Sequence, residues 1–83
     1  IMNRLDLQDF FPDAELLFLD GHDNAILGVE QNTYRVAYSV TKILKNLVDE
    51  GLSYEEALEY YDFNIACAYV GEQTPFYIDD TLI

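Results

Sequence analysis

The sequence predicts a single α+β domain over residues 2–83, and three observations lead to this class. First, the chain has 83 residues, of which 51% are hydrophobic, and that length supports one core. Second, short apolar runs separated by turn residues fill 14–40, which is typical of strands. Third, 41–70 holds two segments with helical apolar spacing and with residues that begin and end helices.

A short helix is expected near the N-terminus, in the run LQDFF (7–11). Asp6 is its predicted N-cap residue, and Asp9 follows three residues later, as in an acidic capping box. Pro12 ends the helix, because the proline ring clashes with a carbonyl group of the preceding turn.

Three strands are expected next, paired as an antiparallel meander. The apolar runs at 14–20 and 25–31 flank the turn residues GHDN, and we therefore expect them to form a hairpin. The run YRVAYSV (34–40) alternates with period two, which indicates a half-buried strand. The residues that share its apolar face are Tyr34, Val36, Tyr38 and Val40.

Two helices are expected to cover one face of this sheet. The first is predicted over 41–50, where apolar residues share one side, and Gly51 takes the C′ position after it. The second is predicted over 54–70 and begins at a capping box formed by Ser53 and Glu56.

The end of the second helix and the residues after it complete the predicted core. Residues 63–70 are almost entirely apolar, so we expect protein to enclose this half of the helix on several sides. A final strand is expected over 74–78, at a sheet edge because Pro75 has no N–H group to donate. The side chains expected to be mostly buried are Leu17, Leu19, Ile26, Val36, Tyr38, Ile43, Leu47, Leu58, Tyr61, Ile65 and Ala68.

Net charge is the strongest signal in the composition. Sixteen acidic and four basic residues give a formal charge of −12, and the acids are spread over both halves of the chain. Such a surface repels phosphate groups and anionic lipids, so we expect no direct binding to nucleic acid or to membranes. The charge serves solubility alone or recognises a basic partner, and the sequence leaves both interpretations open.

Two further features bear on where the protein acts. The chain has one cysteine, Cys67, which excludes an intrachain disulfide. No apolar run approaches the roughly 20 residues that span a bilayer, and no basic and apolar signal segment opens the chain. We therefore expect a cytoplasmic protein.

The chain offers no clear residue pattern for catalysis or for metal binding. The polar cluster DGHDN (20–24) fails as a calcium loop, because Ala25 and Gln31 occupy the places of the required Gly and Glu. One His and one Cys, far apart in the sequence, do not make a zinc site. Cys67 lies in an apolar run, where a thiol behaves as a small hydrophobe, and His22 lies in a turn. We therefore expect no enzyme activity, no cofactor and no metal.

Asn64 is the least expected residue of the second helix. An amide beside Phe63 and Ile65 is costly to bury unless it has a hydrogen-bond partner. One interpretation is a structural tie from Asn64 to a backbone group of the sheet or of the GEQTP loop. The other is a groove that the run NIACAYVGEQTP (64–75) shapes, in which four residues meet a partner, namely Asn64, Tyr69, Glu72 and Gln73.

The run from Ser53 to Ile78, with GHDNAILGV upstream, resembles a group of small uncharacterised proteins of phages, prophages and bacteria. Cys67 departs from their pattern, in which a small residue such as Gly is expected. The resemblance implies an origin in a phage or another mobile element, and it carries no established activity. The pattern is S-Y-E-E-A, an aromatic pair, F-N and A-Y-V-G-E-x-T-P, matched at 53–57, 60–61, 63–64 and 68–75.

Two functions from different classes remain. In the first, a non-enzymatic protein binds a basic protein partner, and one form of this is a nucleic-acid mimic or inhibitor of a host or defence protein. In the second, the chain is a homo-oligomeric structural or regulatory module that joins through a strand edge or an aromatic helix face. The residues expected to contact a partner are Glu55, Glu59, Asp62, Asn64, Tyr69, Glu72 and Gln73.

Overall fold

The protein is α+β, as the sequence predicts. The computed structural model describes residues 3–82. A 3₁₀ turn spans Asp23–Ala25, and α3 continues into a π-helical stretch, Tyr61–Ala66, called the π-segment below. The helices and strands are α1 (Arg4–Phe10), β1 (Ile26–Val29), β2 (Val36–Ser39), α2 (Val40–Asp49), α3 (Tyr54–Tyr60) and β3 (Phe76–Ile78).

The three strands form a mixed sheet with β2 in the centre, and the predicted antiparallel meander is wrong. β1 pairs antiparallel with β2, whereas β3 pairs parallel with it, and Ala37 lies opposite Phe76. A parallel pair requires a crossover connection of a dozen or more residues, which the two helices between β2 and β3 provide. β3 is an edge strand, as predicted from Pro75.

The run 14–20, predicted as the first strand, has no regular secondary structure and pairs with no strand of the described chain. Its end is drawn toward α1, because the Arg4 guanidinium contacts Asp20 at 3.1 Å and Asp23 at 2.9 Å. The Leu19 N–H donates to the Tyr38 hydroxyl at 2.7 Å instead of to a neighbouring strand. The chain therefore does not fold back along β1, and the predicted hairpin is absent.

The first helix begins earlier than predicted. Asn3 is the N-cap residue, and its side-chain oxygen accepts from the Asp6 N–H at 3.0 Å. Asp6 therefore lies in the first turn, where its negative charge suits the positive end of the helix dipole. Leu7 is the buried residue of this short helix.

Both ends of α2 are closed by specific hydrogen bonds. Ser39, the last residue of β2, is the N-cap and accepts from the Lys42 N–H at 3.1 Å. At the other end, Gly51 has φ +113° and the Leu52 N–H reaches the Leu47 carbonyl at 3.3 Å, which is a Schellman motif. The predicted helix and its glycine stop are confirmed.

The C-terminal segment is bound to the start of α2. The Asp80 carboxylate accepts from the Ser39 hydroxyl at 2.5 Å, and from the Thr41 hydroxyl and N–H at 2.8 and 3.1 Å. The Ser39 hydrogen bond is the main cause that lowers the pKa of Asp80 to about 2. A carboxylate at a helix N-terminus also suits the helix dipole. Asp80 therefore ties β3 and the residues after it to α2.

The second predicted helix begins as expected and ends early. The capping box is confirmed, since Ser53 accepts from the Glu56 N–H at 3.1 Å and Glu56 accepts from the Ser53 N–H at 2.9 Å. Helical structure ends at Ala66 rather than at residue 70, and its last part has π geometry. The expected enclosure of 63–70 is wrong, because Phe63 is 79% exposed and Tyr69 is 76% exposed.

The core lies between the sheet and the helices and is centred on Tyr38. The Tyr38 ring stacks on Tyr77 at 6.2 Å, and Tyr77 meets Tyr61 edge-on at 5.8 Å. Leu17 and Ala68, both expected in the core, are exposed, and Leu19, Leu58 and Tyr61 are only partly buried. The expected core residues that are buried are Ile26, Val36, Tyr38, Ile43, Leu47 and Ile65.

In the described part of the chain, residues 3–82, every helix is too short or too polar to cross a bilayer.

Candidate partner-binding site

Three carboxylates stand on the outside of α3 and the π-segment. Glu55, Glu59 and Asp62 are exposed, and we call them the acidic ridge. The capping box holds the start of this helix and so fixes the direction in which Glu55 and Glu59 project. Within residues 3–82, no salt bridge includes any of the three.

Most of the few cations are engaged within the fold. Arg4 is paired with Asp20 and Asp23, and Lys45 is paired with Asp49 at 2.9 Å. The Arg35 guanidinium lies 3.7 Å from the centre of the Phe76 ring, a cation–π contact. These contacts leave the ridge carboxylates without an internal counter-charge in the described residues, so the ridge presents net negative charge to solvent.

A groove opens where the π-segment ends. It has a volume of about 320 Å³ and lies between the run 17–19, the π-segment with Ala68, and the residues that lead into β3. We call it the helix-end groove. Its lining residues are Leu17, Phe18, Leu19, Asn64, Ile65, Ala68, Val70, Thr74, Pro75 and Tyr77.

A second hollow adjoins the helix-end groove and shares Leu17 and Val70 with it. This hollow has a volume of about 360 Å³, and its other lining residues are Glu15, Glu72 and Gln73. Together the two cavities make one apolar floor with an acidic side.

Hydrogen bonds hold the wall of the groove that precedes β3. The Thr74 hydroxyl donates to the Gly71 carbonyl at 2.6 Å and accepts from the Val70 N–H at 3.0 Å. The Arg35 Nε donates to the Thr74 carbonyl and so joins this loop to β2. Gly71 has φ +109°, a conformation that favours glycine. The loop is therefore bound to itself and to the sheet.

The opposite wall is held through Tyr38. Its hydroxyl accepts from the Leu19 N–H, and burial is the main cause that raises the pKa of Tyr38. A tyrosine is already protonated at neutral pH, and burial strengthens this, so the Tyr38 phenol is a neutral anchor for the run 17–19. Arg4 also reaches the Leu19 carbonyl at 3.5 Å. Both walls of the groove are thus fixed by groups outside it.

The residues predicted to contact a partner fall into two neighbouring groups along the chain. Glu55, Glu59 and Asp62 form the ridge, and Asn64 lines the helix-end groove. Tyr69 is exposed beside the groove but is not one of its lining residues. The two remaining residues line the adjoining hollow, namely Glu72 and Gln73.

The predicted structural tie of Asn64 is wrong. Its side chain is exposed, and within residues 3–82 it has no hydrogen bond to the sheet or to the GEQTP loop. Because the amide is solvated, the desolvation cost that motivated the tie does not arise. Cys67, expected in an apolar environment, is also exposed.

Gln73 has a polar atom without a partner. Its Oε1 is buried and accepts no hydrogen bond from the residues that the structure describes. Leaving a buried acceptor unsatisfied costs free energy that an incoming N–H donor would recover.

The polar cluster around His22 is structural. Asn46 on α2 donates to Asn24 Oδ1 at 2.7 Å and lies 3.0 Å from His22 Nδ1, so Asn46 joins the turn to the helix. Burial lowers the pKa of His22, and the charge of Glu50 opposes this effect more weakly. Over residues 3–82, no group of three or more His, Cys, Asp or Glu side chains is arranged to hold a metal ion.

The predicted groove over 64–75 and the observed groove share one side. Six residues of that run line it, namely Asn64, Ile65, Ala68, Val70, Thr74 and Pro75. The other wall was not predicted, because Leu17 and Leu19 were expected in the core. No pattern within 14–20 indicated their placement at the groove.

Comparison with known proteins adds no assignment, since no protein-family model, curated protein or solved structure matches this chain. The resemblance to small phage and bacterial proteins therefore stays a prediction.

Proposed function

We propose that this chain is a non-enzymatic acidic protein that binds a basic protein partner through the acidic ridge. The observation that carries the proposal is the exposure of Glu55, Glu59 and Asp62 on one helix without internal counter-charges in the described residues. A capped helix holds carboxylates more rigidly than a loop does, and a fixed array of one sign steers an oppositely charged partner.

Nucleic-acid mimicry is one form of this function. In that form the ridge carboxylates stand in for phosphates and occupy the DNA-binding surface of the partner. An origin in a phage or another mobile element would place this form in the host cytoplasm, with a host or defence protein as the partner. The mimicry form predicts that the bound partner releases its DNA.

Charge reversal on the ridge tests the proposal. One bait is the wild type, and the other is a triple variant with Glu55→Lys, Glu59→Lys and Asp62→Lys. Both are incubated with host extract at low and high salt. We expect a protein that the wild type captures at low salt to bind the triple variant at least about tenfold more slowly. High salt should also weaken wild-type capture, because screening reduces long-range attraction.

The matched control reverses three other exposed carboxylates. This control variant changes the net charge as much as the ridge variant does and leaves the ridge intact. It combines three substitutions in and next to α1, namely Asp6→Lys, Asp9→Lys and Asp13→Lys. If this control weakens capture as much as the ridge variant does, the partner responds to net charge alone and the ridge has no special role.

The open face of the sheet favours a second candidate function, a homo-oligomeric module. Ala37 and Phe76 are paired on the face opposite Tyr38, and Leu27 and Ile78 are 44% and 41% exposed. We call these four residues the outer sheet face. They line a hollow of about 490 Å³ that is mostly apolar. A second copy would bury this surface.

Sedimentation velocity over a range of protein concentrations tests the second candidate. A dimer that Ile78→Lys dissociates, and that Val48→Lys on α2 leaves intact, would support assembly through the outer sheet face. A monomer at every concentration would contradict it.

A further inference from the structure

We propose that the helix-end groove binds a segment of the partner protein that carries one apolar side chain flanked by lysine or arginine. This inference rests on the proposed function, because it states what the basic partner inserts. It adds to the ridge a second contact region of different chemistry.

The floor of the groove fits an apolar side chain. Leu17, Ile65, Val70 and Pro75 line it, and its volume of about 320 Å³ is at the lower end of the range for ligand pockets. Asn64 is an exposed polar residue on its lining and can contact the backbone of an inserted segment. A single apolar side chain with adjacent backbone therefore fits the space and the chemistry.

The negative charge beside the groove favours lysine or arginine next to the inserted apolar side chain. Glu15 and Glu72 line the adjoining hollow, which shares Leu17 and Val70 with the groove. No lysine or arginine lines either cavity. Lysine and arginine supply the positive charge that complements Glu15 and Glu72.

The groove is formed before any partner binds. The Thr74 hydrogen bonds hold one wall and the Tyr38 hydroxyl holds the other. The π-segment brings the neighbouring residues Asn64 and Ile65 to the same groove, and π-helical stretches often occur at functional sites. A pre-formed groove lowers the conformational cost of binding.

A second copy of the chain is a weaker occupant. Each copy carries a formal charge of −12, so bringing Glu15 and Glu72 against another acidic surface is repulsive. A basic segment is attracted by the same two carboxylates.

Nuclear magnetic resonance titration with short peptides tests the proposal. The probe is a peptide with one leucine between two pairs of lysines, and two comparison peptides replace the leucine by glycine or the lysines by glutamates. We expect the leucine–lysine peptide to shift the amide signals of Ala68, Val70 and Thr74. It should bind at least about tenfold more tightly than the glycine peptide, because it buries one apolar side chain.

Two pairs of variants make the test specific. Ala68→Phe fills the groove from an exposed position and should abolish the preference for leucine, whereas Ala66→Phe, also exposed, should leave it. The double variant Glu15→Gln and Glu72→Gln should weaken the leucine–lysine peptide severalfold. The matched control, Asp9→Asn with Asp13→Asn, should change it less. A dispersed amide spectrum for each variant shows that it is folded.

Three outcomes would overturn the groove proposal. The first is equal binding of the leucine and glycine peptides, with shifts confined to Glu55, Glu59 and Asp62, which would keep the ridge and remove the groove. The second is no binding of either lysine peptide at millimolar concentration, in which case the ridge-reversal capture experiment still decides the proposed function separately. The third is groove shifts that grow with protein concentration alone, which would assign the groove to a second copy.

Discussion

The two main helices of this protein differ in what they bury. α2 buries Ile43, Leu44 and Leu47, and hydrogen bonds close both of its ends. α3 buries Ala57 alone, and the π-segment that continues it buries Ile65 while Phe63 remains exposed. Both helices begin at a serine N-cap, so local start signals do not explain the difference.

The two helices differ in how much of their apolar surface packs against the core. In α2 the apolar residues form one stripe, and the core covers Ile43, Leu44 and Leu47 while Val48 at its margin stays exposed. From Phe63 onward most apolar residues lie outside the core, because Ile65 is buried while Phe63, Tyr69 and Val70 are exposed. We infer that α2 stabilises the domain and that the far end of α3 is available for recognition.

The largest expected effect comes from truncating the α2 stripe. Ile43→Ala removes a side chain with 0% exposure, and we expect the free energy of unfolding to fall by roughly 2–5 kcal/mol because a cavity remains. Phe63→Ala at the end of α3 should change it by less than about 0.5 kcal/mol, although it removes more atoms. Urea unfolding of both variants measures the contrast.

Val48→Ala is the control within α2, because Val48 is partly exposed and its truncation should have only a small effect. A cost for Phe63→Ala that equals the cost for Ile43→Ala would show that the end of α3 belongs to the core.

Helix ends depend on neighbouring residues, whereas strand pairing depends on residues far apart in the sequence. The capping box at Ser53 and the glycine stop at Gly51 depend on residues within one turn of each other, and both were predicted correctly. The pairing of β3 with β2 depends on the path of the chain through two helices, and local patterns do not encode that path. The strand and its edge position were therefore predicted, while its parallel pairing with β2 was not.

The candidate site also has a part that could be predicted from local sequence and a part that could not. Charged side chains on a capped helix are expected at the surface, so the exposure of Glu55, Glu59 and Asp62 could be predicted. The helix-end groove joins three parts of the chain that are far apart in sequence, around Leu17, Asn64 and Thr74. No periodicity within one segment could reveal that combination.

The second largest effect concerns the tie between the C-terminal segment and α2. Asp80→Asn removes the charge that accepts from Ser39 and Thr41, and we expect a loss of about 1–2 kcal/mol in the free energy of unfolding. Asp79→Asn is the matched control, because Asp79 bonds only to Thr81 within its own turn and should cost less.

Acid provides an independent measurement of the Asp80 contact. The pKa of Asp80 is about 2 in the folded protein, below its usual value of 3.8, so the charged form stabilises the fold. Its contribution is complete above about pH 4 and is lost as the pH falls toward about 2. The difference in melting temperature between wild type and Asp80→Asn should therefore shrink over this range. A constant difference would contradict the role of the charge.

A smaller effect is expected at the start of α3. Ser53→Ala removes one half of the capping box, and such a change costs about 1 kcal/mol at an exposed helix start. Ser39→Ala at α2 should cost more, because Ser39 is buried and also donates to Asp80. Thermal unfolding of the two variants compares the helices directly. Equal losses would mean that burial and Asp80 add nothing to the α2 cap.

The smallest effect is expected at Asn64. Because its amide is solvated and bonds to no group within residues 3–82, Asn64→Ala should leave the free energy of unfolding within about 0.5 kcal/mol of wild type. The same change removes a polar group from the groove lining, so it should weaken the leucine–lysine peptide severalfold. Urea unfolding and peptide titration of one variant thus separate stability from recognition. A lower stability with unchanged peptide binding would show that Asn64 has a structural role. It would contradict the contribution of this π-segment residue to peptide binding in the groove.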